Sequence, residues 1–451
     1  MNIILIVCDS WRRDFLGCYG ATEVETPHLD RFAQEAVVFD HAYAASFPTL
    51  PCRAELFTGK FVFPYLTWGA LPAGEVVLAD CLSRRHYQTA MVLDNLPVSR
   101  LDYGYDRGFH TRVRVRGQWY DDWAPPDTPV RWPAPKEKMG WPNRVEQYLR
   151  NVAARKCLED YFAPRVYQAA IDWLERFAAQ GPFFLYLDGF DPHEPWDPPE
   201  QFLREPIPEG ERLIYPKFGR AGIYSPEELR RIRALYGGEV RMVDQCLGRL
   251  RAAIDRLGLR ETTAVIFLSD HGVFLGEHNL LGKANRQRQD VNGWPPYREV
   301  AAIPLLMRIP GVVPRRVEAL VHPGDLMPTV LELAGVQIPP TVRARSLLAV
   351  ARGEQDEIRD VAITGWSYGA RKGYRPTCIR TRDWSLVWWR TGIRPELYDR
   401  CSDAGETRDV FAEHPEVARE LHARYVRFLK EQRVPPKNYW SRRFFFIWTK
   451  P

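Results

Sequence analysis

Residues 49–59 read Thr49-Leu50-Pro51-Cys52-Arg53-Ala54-Glu55-Leu56-Phe57-Thr58-Gly59, which places a hydroxyl and a guanidinium four residues apart at a predicted helix start. The N-terminus of a helix presents unpaired N–H groups and about half a positive charge, which suits a tetrahedral oxyanion. Arg53 lies one turn after Thr49 on the same helix face, so it can steady the hydroxyl oxygen or bind the anion. Taken alone, the pattern also fits an ordinary helix with Thr49 as its N-cap.

Apolar runs that end in polar residues recur along the chain and are predicted as buried strands. They span residues 2–8, 37–39, 89–93, 183–187, 263–268 and 303–307. Helices alternate with them, and the clearest begins at the capping box Ser225-Pro226-Glu227-Glu228. This alternation predicts an α/β fold with a doubly wound, mostly parallel sheet flanked by helices over residues 1–355. Polar residues at the carboxyl ends of such strands meet at the ligand site, where we expect Asp9, Asp188 and the pair Asp270-His271.

Three further regions differ from this alternating pattern. Residues 101–145 are rich in Trp and Pro and are predicted as an ordered insertion, either a wall of the active site or a surface loop. Residues 356–436 have short strand patterns followed by one helix at about 415–429, which predicts a small C-terminal α+β subdomain. The aromatic and basic tail, 437–451, is too apolar to stay exposed, so we expect it to dock on its own subunit or on a neighbour in a homo-oligomer.

Composition and charge fit a soluble globular enzyme. The chain has 451 residues, 26% of them charged, and a formal net charge of +5, which gives no argument for a nucleic-acid partner. No stretch of 18 or more apolar residues occurs, so we expect no membrane span. The eight cysteines lack C-x-x-C spacing, which favours reduced thiols and a cytoplasmic location.

Four of the polar residues offer the ligands of a hard cation. Asp9, Asp270, His271 and the hydroxyl of Thr49 would suit one divalent ion, with oxygen ligands favouring Ca²⁺, Mg²⁺ or Mn²⁺ and the imidazole admitting Zn²⁺. Such an ion lowers the pKa of a neighbouring hydroxyl and polarises a bound ester. The sequence therefore predicts a metal-assisted site for a small anionic ester.

The sequence resembles the sulfatase family of the alkaline phosphatase superfamily over nearly its whole length and in the family's order. After the stretch at Thr49, the matching segments are Asp9-Ser10-Trp11-Arg12, Thr26-Pro27-His28-Leu29-Asp30, Asp191-Pro192-His193-Glu194-Pro195, Ser269-Asp270-His271-Gly272, Gly282-Lys283, Asp325-Leu326-Met327-Pro328-Thr329 and Glu396-Leu397-Tyr398-Asp399. The resemblance implies the superfamily fold and the activity of a sulfuric or phosphoric ester hydrolase.

The resemblance also implies roles for individual residues. Asp9, Asp270 and His271 become metal ligands and Thr49 the nucleophile, with Arg53 supporting it. His193 and Lys283 then contact the transferred group or protonate the leaving oxygen. The plain alternatives are a hydrogen-bonded loop histidine at His193 and a solvated charge at Lys283.

The sequence departs from the family at the nucleophile itself, where Thr49 replaces a Cys or Ser. A threonine does not become formylglycine, and Cys52 lies too close to Arg53 to take that role. Thr49 therefore attacks directly, or ligates the cation while water attacks, or the site is a degenerate anion-binding module. Direct attack favours phosphate or phosphonate esters at least as much as sulfate esters.

Three other positions bear on the metal and the substrate. Ser10 stands where many sulfatases have a second Asp, and Asp94-Asn95 where many have Lys-x-His. Asn95 can still donate a hydrogen bond to an anion oxygen. Asp188 could help to hold a second metal, although the ammonium of Lys283 argues for a single ion.

Overall fold

A computed structural model describes residues 1–283, 294–367, 375–389 and 393–445. The helices are α1 Pro27–Ala33, α2 Thr49–Thr58, α3 Leu78–Ser83, α4 Pro142–Val152, α5 Phe162–Phe177, α6 Pro226–Arg256, α7 Arg298–Ala301, α8 Leu326–Leu333, α9 Leu348–Arg352, α10 Pro415–Glu431 and α11 Pro436–Tyr439. The strands are β1 Asn2–Cys8, β2 Val37–Ala42, β3 Ser46–Phe47, β4 Gln88–Leu93, β5 Thr111–Arg114, β6 Phe183–Gly189, β7 Gly219–Arg220, β8 Thr263–Ser269, β9 Phe274–Leu275, β10 Leu280–Gly282, β11 Leu305–Arg308, β12 Arg315–Val321, β13 Ala362–Trp366, β14 Thr377–Arg380, β15 Trp384–Trp388 and β16 Glu396–Asp399.

Eight strands form the main sheet in the order β12-β2-β11-β8-β1-β6-β4-β5. The block from β8 to β5 is parallel, which confirms the mostly parallel α/β sheet. Along β1, Ile4 and Ile6 belong to the apolar core on one face of the sheet, and Ile3 and Leu5 belong to the core on the other. Burial on both faces explains why the central strands are unbroken apolar runs.

Strand β11 runs antiparallel to both of its neighbours, which the alternating pattern did not indicate. Leu305, at the start of β11, lies opposite Leu268 at the end of β8. The chain therefore leaves the sheet at the end of β8 and returns as β11 at the same edge. An antiparallel pair of this kind needs no crossover helix. Strands β5 and β12 were also not predicted, since charged residues interrupt their apolar pattern.

The C-terminal subdomain contains a sheet in the order β16-β15-β14-β13-β3, with α10 packed against it. Its last strand comes from the N-terminal part of the chain, because Ser46 and Phe47 pair with Gly365 and Trp366. The two residues of β3 end directly before Pro48 and α2. Pairing with the C-terminal subdomain therefore fixes the backbone segment that leads into Thr49.

Helix α2 begins at Thr49 itself, with Pro48 at the N-cap position and no side-chain cap. The interpretation of Thr49 as an N-cap is therefore wrong, and its hydroxyl is not used to close the helix end. The capping box at Ser225 is confirmed, since the side chain of Ser225 accepts the backbone N–H of Glu228.

The described part of the tail packs against its own subdomain. Tyr439 is buried, and His422 in α10 contacts the carbonyl oxygen of Arg442 through Nε2 at 2.9 Å. Phe445 packs on the ring of His422 with a centroid separation of 5.3 Å. Residues 446–451 of the predicted tail lie outside the described residues. In the described ranges, no helix is long and apolar enough to span a bilayer.

Candidate active site

Three neighbouring strands bring three carboxylates to one edge of the main sheet. Asp9 follows β1, Asp188 lies near the end of β6, and Asp270 follows β8. The strands are in register, since Val7 lies opposite Asp188 and Cys8 opposite Ser269. All three aspartates are fully buried. The convergence expected at the carboxyl edge of a parallel sheet is therefore present.

The guanidinium of Arg53 lies among these carboxylates. Its Nε and Nη2 donate to Asp188 at 3.1 and 2.8 Å, and Nη1 lies 3.2 Å from Asp9 Oδ2 and contacts Asp270. Arg53 reaches Thr49 only through the backbone carbonyl oxygen, at 3.5 Å. Arg53 thus organises the acidic cluster and donates no hydrogen bond to the Thr49 hydroxyl, which the spacing of residues 49 and 53 did not reveal.

The charges in this cluster fit a divalent cation. Three carboxyl groups face one guanidinium, which leaves two formal negative charges once all three are ionised, and the nearby Lys283 is already paired with Glu194. Burial raises the pKa of Asp270 to about 8, although Arg53 opposes the shift. Burial also acts to raise the pKa of Asp9, but Arg53, His193, His271 and Lys283 together outweigh it and hold that pKa well below its usual range.

The ligand atoms for such a cation are close together. Asp9, Asp270 and His271 each offer one, and these atoms lie within 4.8 Å of one another. Two carboxylates and an imidazole are a donor set that divalent ions accept. Burial lowers the pKa of His271 to about 3, so the imidazole is neutral, as ligation requires.

Hydrogen bonding fixes how His271 faces Thr49. His271 Nδ1 lies 3.0 Å from the carbonyl oxygen of Gly272, which only accepts hydrogen bonds, so Nδ1 carries the proton. The lone pair on Nε2 then points to the hydroxyl of Thr49, whose Oγ1 is 3.3 Å away. Residue Thr49, 5% exposed at the start of α2, is more exposed than the aspartates, His271 and Arg53 of the cluster.

His193 and Lys283 form a second group around Glu194. Lys283 Nζ is 3.2 Å from Glu194 Oε2, and His193 Nε2 is 3.5 Å from Glu194 Oε1. Burial and the charge of Lys283 hold the pKa of His193 well below its usual value. His193 Nδ1 donates to the carbonyl oxygen of Glu194 at 2.5 Å, since that oxygen only accepts. Glu194, which sequence reasoning left without a role, lies between the two and contacts both.

The positions that depart from the family pattern support the carboxylates. Ser10 Oγ donates to Asp9 at 2.7 Å, and its backbone N–H donates to Asp270 at 2.9 Å. Asn95 Nδ2 donates to Asp9 at 3.2 Å, so in this structure it holds a carboxylate. Asp188 is occupied by Arg53 and accepts the hydroxyl of Tyr186 at 2.7 Å.

A cleft of about 530 Å³ opens beside this site, lined by Pro48 immediately before Thr49. Trp119, from the region predicted as an insertion, lines it and packs on His193 with ring centroids 5.6 Å apart. Trp366 of β13 lines it too and packs on Phe47 at 4.4 Å. A substrate bound at Thr49 would extend into this space.

Comparison with known proteins agrees with this geometry. The profile of the family described as Sulfatase matches residues 1–336, and that described as N-sulphoglucosamine sulphohydrolase, C-terminal, matches 296–432. The Uncharacterized sulfatase YidJ of Escherichia coli K12 is 26% identical over 490 residues, covering 98% of this chain and 90% of that protein. The Ulvan-active sulfatase of Formosa agariphila is 26% identical over 471 residues, covering 100% and 85%.

A solved structure shows the same fold. The phosphonate monoester hydrolase of Agrobacterium radiobacter superposes with a TM-score of 0.76 at 22% identity, covering 96% of this chain and 95% of that one.

Proposed function

Because this chain belongs to the sulfatase family of ester hydrolases, we propose that it cleaves sulfate, phosphate or phosphonate esters in a metal-dependent reaction at Thr49. The observation that carries the proposal is the position of Thr49 Oγ1, at the start of α2 and 3.3 Å from His271 Nε2 beside Asp9 and Asp270. The names of the similar proteins include both sulfate and phosphonate ester chemistry.

Asp9, Asp270 and His271, with the hydroxyl of Thr49, would hold one divalent cation. When bound, that cation supplies Lewis-acid polarisation of the ester and lowers the pKa of the hydroxyl. Arg53 offsets part of the charge of the carboxylates and keeps them in place. The free N–H groups at the start of α2 face the negative oxygens of the transferred group.

In the reaction that we propose, the Thr49 hydroxyl gives its proton to solvent water, and Oγ1 forms a bond to phosphorus or sulfur as the bond to the leaving oxygen breaks. Lys283, which carries protons, stabilises or protonates that leaving oxygen. Neutral His193 lines the site on the Glu194 side, with Nε2 as a hydrogen-bond acceptor. Water then attacks the same phosphorus or sulfur in line and releases Thr49. If Thr49 instead only orients the cation, water attacks the ester directly.

The second candidate is a degenerate member of the fold that binds anions without turnover. This candidate is disfavoured because the residues that turnover would need are all present. They are Asp9, Asp270, His271, Arg53 and Lys283, and binding an anion would not require them to surround the Thr49 hydroxyl.

The test is a turnover panel of 4-nitrophenyl sulfate, 4-nitrophenyl phosphate and 4-nitrophenyl phenylphosphonate. The protein is stripped with a chelator and assayed with Ca²⁺, Mg²⁺, Mn²⁺ or Zn²⁺ restored singly. We expect one ester to be hydrolysed and the activity to return only with metal. No turnover of any ester with any metal, or full turnover after stripping, would contradict the proposal.

A further inference from the structure

The cleft beside Thr49 contains an arginine clamped between aromatic rings. The guanidinium carbon of Arg144 in α4 lies 3.8 Å from the ring centroid of Trp141, 4.2 Å from Tyr120 and 5.3 Å from Trp119. All four residues line the cleft. Aromatic faces attract a cation and fix the plane of the guanidinium, while its N–H donors stay directed outward in that plane.

Within the described residues, the side chain of Arg144 donates no hydrogen bond and has no carboxylate within 4.0 Å, although it is half-buried. Five N–H donors are therefore available on a group whose motion is already restricted. A binding group held in place before the ligand arrives loses less entropy on binding. Arg144 has the properties of a preformed anion receptor.

The backbone around this clamp is strained. Trp119 has φ 55° and Trp141 has φ 45°, both in the left-handed region. A bulky residue is strained in this region, and such strain clusters at ligand sites. Two strained tryptophans on one arginine indicate that the surrounding structure maintains the clamp.

A second arginine faces the same cleft from the C-terminal subdomain. Arg375 donates through Nη1 to the carbonyl oxygen of Ser367 at 2.8 Å and lies over the ring of Trp366 at 5.5 Å. It too has no carboxylate within 4.0 Å in the part of the chain that the structure describes. Burial lowers the pKa of Arg375. The cleft therefore offers cationic groups on two walls.

The other charged groups of the lining are mostly neutralised. Arg100 pairs with Asp102, and Asp121 is held by Arg116. Asp122, exposed at the rim, remains a carboxylate without an ion-pair partner among the described residues. Among the described lining residues, the unpaired charges are thus those of Arg144 and Arg375, against one exposed carboxylate.

A single aromatic ring, that of Trp119, connects the Arg144 clamp to His193 of the candidate active site. Trp119 contacts the guanidinium of Arg144 and also packs on the ring of His193, with ring centroids 5.6 Å apart. On the opposite wall, Trp366 packs on Phe47, and Phe47 packs on the ring of His271 at 4.8 Å. In the proposed reaction the transferred group would lie beside His193 and His271, so the leaving group of the ester would extend into the cleft.

We propose that the natural substrate is a ring-bearing ester whose leaving group carries a second anionic group, bound by Arg144 and Arg375 against the aromatic walls. This inference rests on the proposed function and names its substrate class. Two leaving groups share this chemistry: a carboxylated or sulfated phenol and a carboxylated or sulfated pyranose. Each has a ring face that can pack on the aromatic walls and a separate anionic group for the arginines.

The test compares two esters that differ only in ring charge. Whichever 4-nitrophenyl ester is hydrolysed is compared with its 3-carboxy analogue, and a hexose monosulfate with a hexose disulfate. In the native protein, we expect kcat/KM to favour the additional charge by about tenfold to a hundredfold. Arg144→Gln should reduce this preference to about twofold or less, and Arg375→Gln should reduce it in part. The aryl and sugar pairs show which ring is preferred.

Arg100→Gln is the matched control, since Arg100 lines the same cleft but is already paired with Asp102. It should keep the full preference. No preference in the native protein, or equal loss in Arg144→Gln and Arg100→Gln, would overturn the inference.

A binding measurement separates this inference from the proposed function. Calorimetry with benzene-1,3-disulfonate and benzenesulfonate requires no turnover, and unfolding midpoints confirm that each variant is folded. Tighter binding of the disulfonate that is lost in Arg144→Gln supports the anion site even if no ester is hydrolysed. Equal binding of both probes would overturn it even if the esters are hydrolysed.

Discussion

Replacing Asp188 by asparagine is expected to raise the metal concentration needed for activity by about thirtyfold. Asp188 accepts Nε and Nη2 of Arg53 and the hydroxyl of Tyr186. An amide has one acceptor oxygen, so at least one of these charge-assisted hydrogen bonds is lost, at a cost of about 2 kcal/mol. The freed guanidinium charge then acts on Asp9 and Asp270, where it competes with the cation for the two carboxylates. A difference of about 2 kcal/mol corresponds to about thirtyfold in affinity.

The assay is a metal titration of chelator-stripped protein, followed both by turnover and by the midpoint of thermal unfolding. Tyr186→Phe is the matched control, because it removes one neutral donor and keeps the carboxylate. We expect the control to shift the titration by less than about fivefold. An Asp188→Asn protein that is folded and binds metal as tightly as the native protein would refute the idea that Asp188 keeps Arg53 from competing with the cation.

Three further outcomes follow from the structure. Thr49→Cys, produced together with a formylglycine-generating enzyme, should gain sulfate-ester turnover; no gain after mass spectrometry confirms the aldehyde would mean that the pocket is not built for sulfate. Burial raises the pKa of Glu55 from 4.5 to about 8, so its contribution to stability is complete below pH 4.5 and is lost as the pH rises through about 8. Glu55→Gln should therefore flatten the free energy of unfolding across this range in denaturant titrations, and an unchanged slope would contradict the shift. Deleting residues 437–451 should lower the unfolding midpoint, because buried Tyr439 is removed. If the mass of the protein by light scattering is unchanged by the deletion, the tail does not mediate oligomerisation.

The sequence predicted the central fold because its main signals are local. The strands at 2–8, 183–187 and 263–268 are continuous apolar runs, as burial on both faces requires. The capping box at Ser225 depends only on residues within one turn. By contrast, the pairing of β3 with β13 joins residues more than three hundred positions apart through only two residues, so no local pattern marks it.

The candidate site was also proposed from local signals. Asp9, Asp270, His271 and Thr49 could be identified because each follows a strand or begins a helix in a recognisable motif. The partners of Arg53 could not, since its contacts with Asp188 and Asp9 depend on how three strands align. The clamp around Arg144 depends on side-chain packing between a loop and α4, for which sequence spacing gives no signal.

The most direct test of catalysis at Thr49 is kcat/KM for the best ester with metal present, measured for the native protein and Thr49→Ala. Thr49 is the first residue of α2 and not its cap, so alanine should leave the unfolding midpoint nearly unchanged. If Thr49 carries the reaction, kcat/KM should fall by at least about 10³-fold in the folded variant. A folded Thr49→Ala protein with native kcat/KM would contradict the assignment of Thr49 as the reacting hydroxyl.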